Sequence, residues 1–214
     1  MNNQASFQQF LQECPVVAIL RGITPPEVPA VCDALFQGGI RLLEIPLNSP
    51  QPEQSIALAA RHCSGRQLVG AGTVLSPAEV QLVRAAGGQF VVSPNTDAAV
   101  IQATLQAGLV SVPGFMTASE AFTALQAGAN YLKLFPAGQF GPGYVRDLQA
   151  VIKAPILAVG GITADNLESF LAVCSGAGVG SALYSPGRPA AEVLARARQL
   201  RNLVTGISHK TGAP

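Results

Sequence analysis

A short apolar run, a turn rich in Gly, Pro, Ser or Asn, and a longer amphipathic stretch recur along the chain, and this alternation limits the fold more than any other feature. The runs fall at 15–20, 42–47, 67–71, 89–93, 109–112, 131–135, 156–159 and 177–180. Helices are expected between them at 25–37, 51–61, 77–86, 97–106, 118–126, 142–152 and 164–172, with a last one over 190–203. Ser76 with Pro77, and Asp97, are helix-start signals, whereas Gly38, Gly87, Gly108 and Gly128 are expected to end helices by taking left-handed backbone. Eight strand-helix units predict an α/β protein, a single-domain (β/α)8 TIM barrel at the compact end of its size range. An open doubly wound sheet is the alternative, but no Gly-rich dinucleotide fingerprint follows the first strand. An extra N-terminal helix over 1–13 is expected to cover the barrel bottom. The domain should span 1–208, followed by a disordered tail over 209–214.

The composition has to fit that frame. Only 12% of the 214 residues are charged and 49% are apolar before the 22 glycines are added, against a typical charged share of about 25%. Parallel strands covered on both faces absorb such a sequence, and so does an interface in a homo-oligomer. A formal charge of +1, with no basic patch, argues against a nucleic-acid partner. No secretory signal is read in the first residues, and no stretch has the length and character of a membrane span. Cys14, Cys32, Cys63 and Cys174 are scattered without a CxxC pair, so free buried thiols in a reducing cytoplasm are expected. His62 and His209 lie in no metal-spaced cluster, and no protein-bound catalytic metal is expected.

Two charges interrupt apolar runs: Glu44 in Leu42-Leu43-Glu44-Ile45-Pro46 and Lys133 in Tyr131-Leu132-Lys133-Leu134-Phe135. Burial favours the neutral amine, which can attack a carbonyl, while a nearby carboxylate can move protons. The structural alternative is a lysine whose head reaches water and a glutamate held in an ion pair. Strand periodicity separates the two readings. It places Tyr131, Lys133 and Phe135 on one face and Leu132 and Leu134 on the other, so Lys133 points into a barrel whose outer strand faces are apolar. Of the other lysines, Lys153 ends a predicted helix and Lys210 lies in the tail, which leaves Lys133 as the candidate nucleophile. Arg21, Glu44, Thr73, Pro94 and Lys133 all fall at or near C-terminal strand ends, where barrel enzymes gather their chemistry. Arg21 and Thr73 suit a substrate carboxylate, although a surface guanidinium and a turn hydroxyl would explain them equally in isolation.

Gly160-Gly161 after the seventh run, and Gly178-Val179-Gly180-Ser181 at the eighth, form a second group. Turns after strands seven and eight of such barrels often cradle phosphate with backbone N–H groups. Glycines that merely permit tight turns are the alternative.

The chain resembles the class I 2-dehydro-3-deoxy-phosphogluconate/phosphogalactonate aldolases. The resemblance rests on Ala18-Ile19-Leu20-Arg21-Gly22-Ile23-Thr24-Pro25, Glu44-Ile45-Pro46-Leu47-Asn48-Ser49-Pro50, Val69-Gly70-Ala71-Gly72-Thr73-Val74-Leu75, Ser93-Pro94-Asn95, Leu132-Lys133-Leu134-Phe135-Pro136 and Ala158-Val159-Gly160-Gly161-Ile162-Thr163. It implies Lys133 as the Schiff-base lysine, Glu44 as general acid/base, and Arg21 and Thr73 at the pyruvate-derived carboxylate. It further implies Gly160, Gly161 and Ser181 at the phosphate end, with Pro94, Phe135 and Val159 also contacting substrate. A cytoplasmic homotrimer is implied as well. Gluconate-specific members carry an arginine where this chain has Asn48 and a threonine where it has Val159, so the chain follows the galactonate pattern.

The resulting expectation is reversible cleavage of 2-dehydro-3-deoxy-6-phosphogalactonate to pyruvate and D-glyceraldehyde 3-phosphate through an imine on Lys133, without a cofactor. The same reaction on the gluconate epimer is one alternative. A phosphosugar isomerase using Glu44 as base, or a non-catalytic sugar-phosphate binding module, are the others.

Overall fold

Asn2 caps the first helix by accepting from Ala5 N–H at 2.8 Å, and α1 (Asn3–Glu13) runs from it into β1 (Val16–Ile19). The computed structural model describes the backbone of residues 2–210 and the side chains of residues 2–205. A 3-10 turn at Pro25–Glu27 leads into α2 (Val28–Gln37), followed by β2 (Leu42–Pro46), α3 (Pro52–His62), β3 (Leu68–Gly72), α4 (Pro77–Ala85), β4 (Phe90–Val92) and α5 (Ala98–Gln106). The second half comprises β5 (Val110–Val112), β6 (Gly114–Phe115), α6 (Ala118–Gln126), β7 (Leu132–Leu134), α7 (Ala137–Leu148), β8 (Ile156–Val159), α8 (Leu167–Leu171), β9 (Gly176–Val179) and α9 (Ala190–Lys210).

All pairings are parallel, in the order β5-β4-β3-β2-β1-β9-β8-β7-β6. The expected fifth strand, 109–112, is observed as β5, and a further short strand not expected from sequence, β6, follows it across Pro113, which has no N–H to give to a ladder. Because the two ends of the sheet are consecutive in the chain, the sheet closes on itself. Ser111 O accepts from Tyr131 N–H at 3.1 Å and Pro113 O from Lys133 N–H at 2.9 Å, which seals the seam. The (β/α)8 barrel with an additional N-terminal helix is therefore the observed fold.

Strand alternation sorts the core into two compartments. Val17 and Ile19 of β1, Leu42 of β2, Phe90 and Val92 of β4 and Leu157 and Val159 of β8 fill the barrel interior. Their neighbours Val16, Ala18, Leu43, Ile45, Leu132, Leu134 and Ala158 face outward into the helical layer. The bottom of the interior is filled by α1: Phe7 is fully buried, with its ring 5.2 Å from Phe90 and 4.7 Å from Tyr131.

The caps follow the sequence closely. Ser76 and Glu79 exchange hydrogen bonds in a capping box on α4, and Asp97 accepts from Ala99 and Val100 N–H at 2.8 and 3.1 Å on α5. Four expectations differ. Gly38 remains helical at φ −79, and Gly39 takes the left-handed turn at φ +85; Gly38 is a contact position instead, since a Cβ there would lie 2.4 Å from Ala197 Cβ. Helix α7 begins at Ala137 rather than 142, because a separate turn precedes the break at Gly141 (φ +74), and it ends at Leu148 rather than 152. Helix α8 is shorter than expected, with residues 164–166 forming a turn before it. Finally, α9 continues to Lys210, so the first two residues of the expected tail are helical, while 211–214 lie outside the described residues.

Candidate active site

Glu44 and Lys133 take their positions from the alternation that builds the barrel. On β2, Leu43 and Ile45 pack outward, which turns Glu44 inward; on β7, Leu132 and Leu134 do the same for Lys133. Their exposures are 3% and 6%. Beneath Glu44 lies a small apolar space bounded by Phe7, Val17, Ile19, Phe90 and Val92. One carboxyl oxygen, Oε2, has no hydrogen-bond partner among the described residues. It lies against Gly72, where a Cβ would stand 1.8 Å away. Glycine at this strand end is therefore what gives the carboxyl its room.

Burial governs the electrostatics of both groups. Desolvation pushes the Glu44 carboxyl up to about 7, with the charges of Lys133 and Arg21 pulling the other way. Desolvation also pushes the Lys133 ammonium below the usual lysine range, helped by Arg21 and opposed by Glu44. Each group favours the other's charged form, but burial outweighs that attraction for both. An acid that exchanges its proton near neutral pH thus sits near an amine that releases its own more readily, which suits nucleophilic attack on a carbonyl. Lys133 Nζ also lies 4.8 Å from the centre of the Phe135 ring.

The surrounding turns complete the mouth. Thr73 has φ +57, an uncommon conformation for a β-branched residue and a sign of local strain where β3 ends. Arg21 is exposed at the end of β1 and donates from Nη1 to Asn48 Oδ1 at 2.6 Å, while Gly22 N–H donates to Ser49 Oγ at 3.0 Å. These two bonds clamp the turn after β1 to the turn after β2. Gly160 (φ +92) and Gly161 (φ +74) make the turn after β8, and Gly160 O accepts from Gly138 N–H at 2.8 Å. A Cβ at Gly160 would lie 3.0 Å from the Phe135 ring, so this turn needs glycine for both conformation and space.

Arg21, Glu44, Thr73, Pro94, Lys133, Phe135, Val159, Gly160, Gly161 and Ser181 all line one cleft of about 230 Å³ at the C-terminal mouth. Every site residue expected from sequence is thus brought to one place. Ile19, Ile162, Thr163, Gly178, Gly180 and Ala182 line it too. Ile19 and Gly178 occupy inward strand positions, and alternation could have found them. Ile162 and Thr163 follow the glycine pair without a periodic signal. A larger cleft of about 310 Å³ lies between α1 and α9, near Glu13, Cys174 and Arg201, but it has no buried amine and carboxyl facing one space. Among the described residues, no group of three or more His, Cys, Asp or Glu side chains gathers as a metal site would require.

A closed parallel barrel with a buried amine, a buried carboxyl and a glycine turn at its mouth has the equipment of an enzyme acting on a carbonyl compound. The chain belongs to the KDPG and KHG aldolase family, whose sequence pattern matches residues 7–196. It is 46% identical over 183 residues to the 2-dehydro-3-deoxy-6-phosphogalactonate aldolase of Escherichia coli K12, covering 84% of this chain and 89% of that protein. A solved structure described as native KDPGal superposes with a TM-score of 0.90 at 42% identity, covering 92% of this chain and 97% of that one. A KDPG aldolase from Legionella pneumophila, solved with pyruvate captured as a covalent carbinolamine, superposes at 0.80 with 26% identity, covering 97% of this chain and 98% of that one.

Proposed function

We propose that this chain is a class I aldolase that cleaves 2-dehydro-3-deoxy-6-phosphogalactonate to pyruvate and D-glyceraldehyde 3-phosphate, with Lys133 as the imine-forming residue. The observation that carries this reading is the burial of Lys133 and Glu44 on inward strand positions at one mouth. Neutral Lys133 adds to the C2 ketone, and loss of water from the carbinolamine gives an iminium. Glu44, directly or through one water, takes the C4 hydroxyl proton as the C3–C4 bond breaks. The bonding pair moves into the enamine and glyceraldehyde 3-phosphate departs. Glu44 then returns a proton to C3, and water adds to the regenerated iminium, releasing pyruvate and the free amine.

Arg21 and Thr73 are assigned to the substrate carboxylate, and Gly160, Gly161 and Ser181 to the phosphate. Pro94 and Phe135 shape the walls. Val159 supports the galactonate epimer, because it has no group to hydrogen-bond the C4 hydroxyl. Asn48 supports it too, by occupying the place of the arginine expected in gluconate-specific members and bonding Arg21 instead.

A cytoplasmic setting is supported by Cys14, Cys32, Cys63 and Cys174, all free and buried. A homotrimer is supported by the low charge content and by exposed Leu75, Met116, Phe122 and Phe140; sedimentation equilibrium would test it. The chemistry is tested by incubating the protein with pyruvate and borohydride and mapping the adduct by mass spectrometry. Reductive trapping at Lys133 is expected. An unmodified Lys133 peptide, under conditions that label a control aldolase, would overturn the assignment.

A further inference from the structure

The turn after β9 is gripped from outside the cleft by two arginines. Gly180 O accepts from Leu183 N–H at 2.8 Å and Tyr184 N–H at 2.9 Å, winding these residues into a single turn. Gly180, Ser181 and Ala182 line the cleft together with Gly160 and Gly161. Arg188 Nη1 donates to Ser181 O at 3.0 Å, and Arg196 Nη1 donates to Ala182 O at 2.9 Å. Neither arginine lines the cleft. Glu192 ties the pair together, with Oε1 at 3.3 Å from Arg188 Nε and 2.9 Å from Arg196 Nη2.

In a planar trans peptide, the carbonyl of one residue and the N–H of the next point to opposite sides. The Arg188 bond to Ser181 O therefore fixes Ala182 N–H on the side away from Arg188. Among the described residues, the amides of Ser181 and Ala182 have no protein acceptor. Adjacent free amides of this kind form an anion-binding concavity. A carbonyl released from its arginine could rotate into the cleft and present a negative dipole to the same anion.

We propose that Arg188 and Arg196, tethered by Glu192, are positioning residues for the phosphate end of the substrate. Arg188 holds Ser181 O and so turns the Ala182 amide towards the anion; Arg196 keeps Ala182 O out of the cleft and with it the Leu183 N–H on Gly180 O, the bond that orients the Ser181 amide. The proposal rests on the assignment of this turn to phosphate.

Arg188→Met and Arg196→Met, singly and combined, test it. The readouts are KM and kcat for the phosphorylated 2-keto-3-deoxy acid, the inhibition constant of inorganic phosphate, and the pyruvate concentration that half-saturates borohydride labelling of Lys133. Each single variant should raise KM and the phosphate inhibition constant about tenfold, the scale of one charge-assisted hydrogen bond, and the double variant should raise them further. Pyruvate labelling and kcat should stay within about twofold, since they depend on the other end of the cleft. Arg196→Lys should recover part of the loss. Unchanged KM and phosphate inhibition in the folded double variant would overturn the proposal, and so would an equal loss of pyruvate labelling, which would mark a general structural role. Arg188 precedes α9, so its replacement keeps the test decisive if Arg196→Met does not fold. Failure of the unaltered protein to label with pyruvate would overturn the aldolase reading instead, leaving the dissociation constant of inorganic phosphate, measured by calorimetry on the unaltered protein and the arginine variants, as the separate measure of the network.

Discussion

Gly72 and Glu44 compete for one space: a Cβ at position 72 would lie 1.8 Å from Glu44 Oε2 and 2.5 Å from its carboxyl carbon. The acid is buried but lines the cleft, so its carboxyl end can yield only by swinging away from Gly72 into that space. Gly72→Ala should therefore displace the carboxyl. A misplacement of about 1 Å can cost about 10²-fold in rate, and overpacking of this kind destabilises by about 1–3 kcal/mol. Steady-state kinetics with a thermal melt would check both effects. A fully active Gly72→Ala protein would show that the carboxyl need not stay where it is.

Lys133→Arg keeps a positive charge on β7 but offers no neutral amine, because the guanidinium does not deprotonate in proteins. Turnover and pyruvate-borohydride labelling should both vanish while circular dichroism stays unchanged. Turnover near that of the unaltered protein would rule out the imine at this position.

Glu44→Gln removes the base and should lower kcat by about 10²–10⁴-fold. With the folded carboxyl raised from 4.5 to about 7, the acid limb of the pH-rate profile should have its midpoint near 7, and the variant should lack that limb. Stability has the opposite dependence. Between 4.5 and about 7 the folded state holds a proton that the unfolded chain has lost, so stability falls as pH rises through that window. Above it, Glu44→Gln should be the more stable protein, by up to about 3 kcal/mol from the size of the shift; below pH 4.5 the advantage should disappear. Parallel melting curves at both ends of the window decide it, and a variant less stable at pH 8 would contradict burial as the cause.

Val159→Thr adds a hydroxyl to the cleft wall without adding bulk. The unaltered protein should cleave the galactonate epimer at least as well as the gluconate epimer, and the variant should move towards gluconate, because a hydrogen-bonded hydroxyl discriminates far better than a packed methyl group. The measurement is kcat/KM for both epimers in both proteins. A strong gluconate preference that the substitution leaves unchanged would remove Val159 as the selector.

Period-two alternation made the inward aim of Lys133 legible, since Leu132 and Leu134 need the helical layer. The position of Glu44 late in its strand, with Arg21, Thr73 and Pro94 at other strand ends, located the mouth. What stayed hidden depended on three-dimensional proximity. Nothing after the run 109–112 says that a second short strand follows Pro113 at the point where the sheet closes. Gly38 and Gly39 are equivalent as a stop signal until Ala197 is seen pressing on the first of them. Pro142 reads as a helix start, which is correct for the segment after Gly141, but the turn from Ala137 ahead of it lacks any side-chain cap. Arg188 and Arg196 carry no sequence signal, because their partners are main-chain carbonyls, which sequence does not distinguish.

With Phe7 in its lower end, the barrel is a corked tube, and the cork forms part of the chamber's electrical insulation. The ring of Phe7 borders the apolar space on which Glu44 rests, so a residue in the first helix helps set the proton affinity of an acid at the opposite mouth. Phe7→Ala would leak the insulation: water entering from the rear would stabilise the carboxylate and shift the acid limb of the rate profile to lower pH. The same truncation would cost about 3–5 kcal/mol of packing. Variation at the start of the chain, far from any reacting atom, is thus a means of tuning the working pH of the enzyme without altering the cleft.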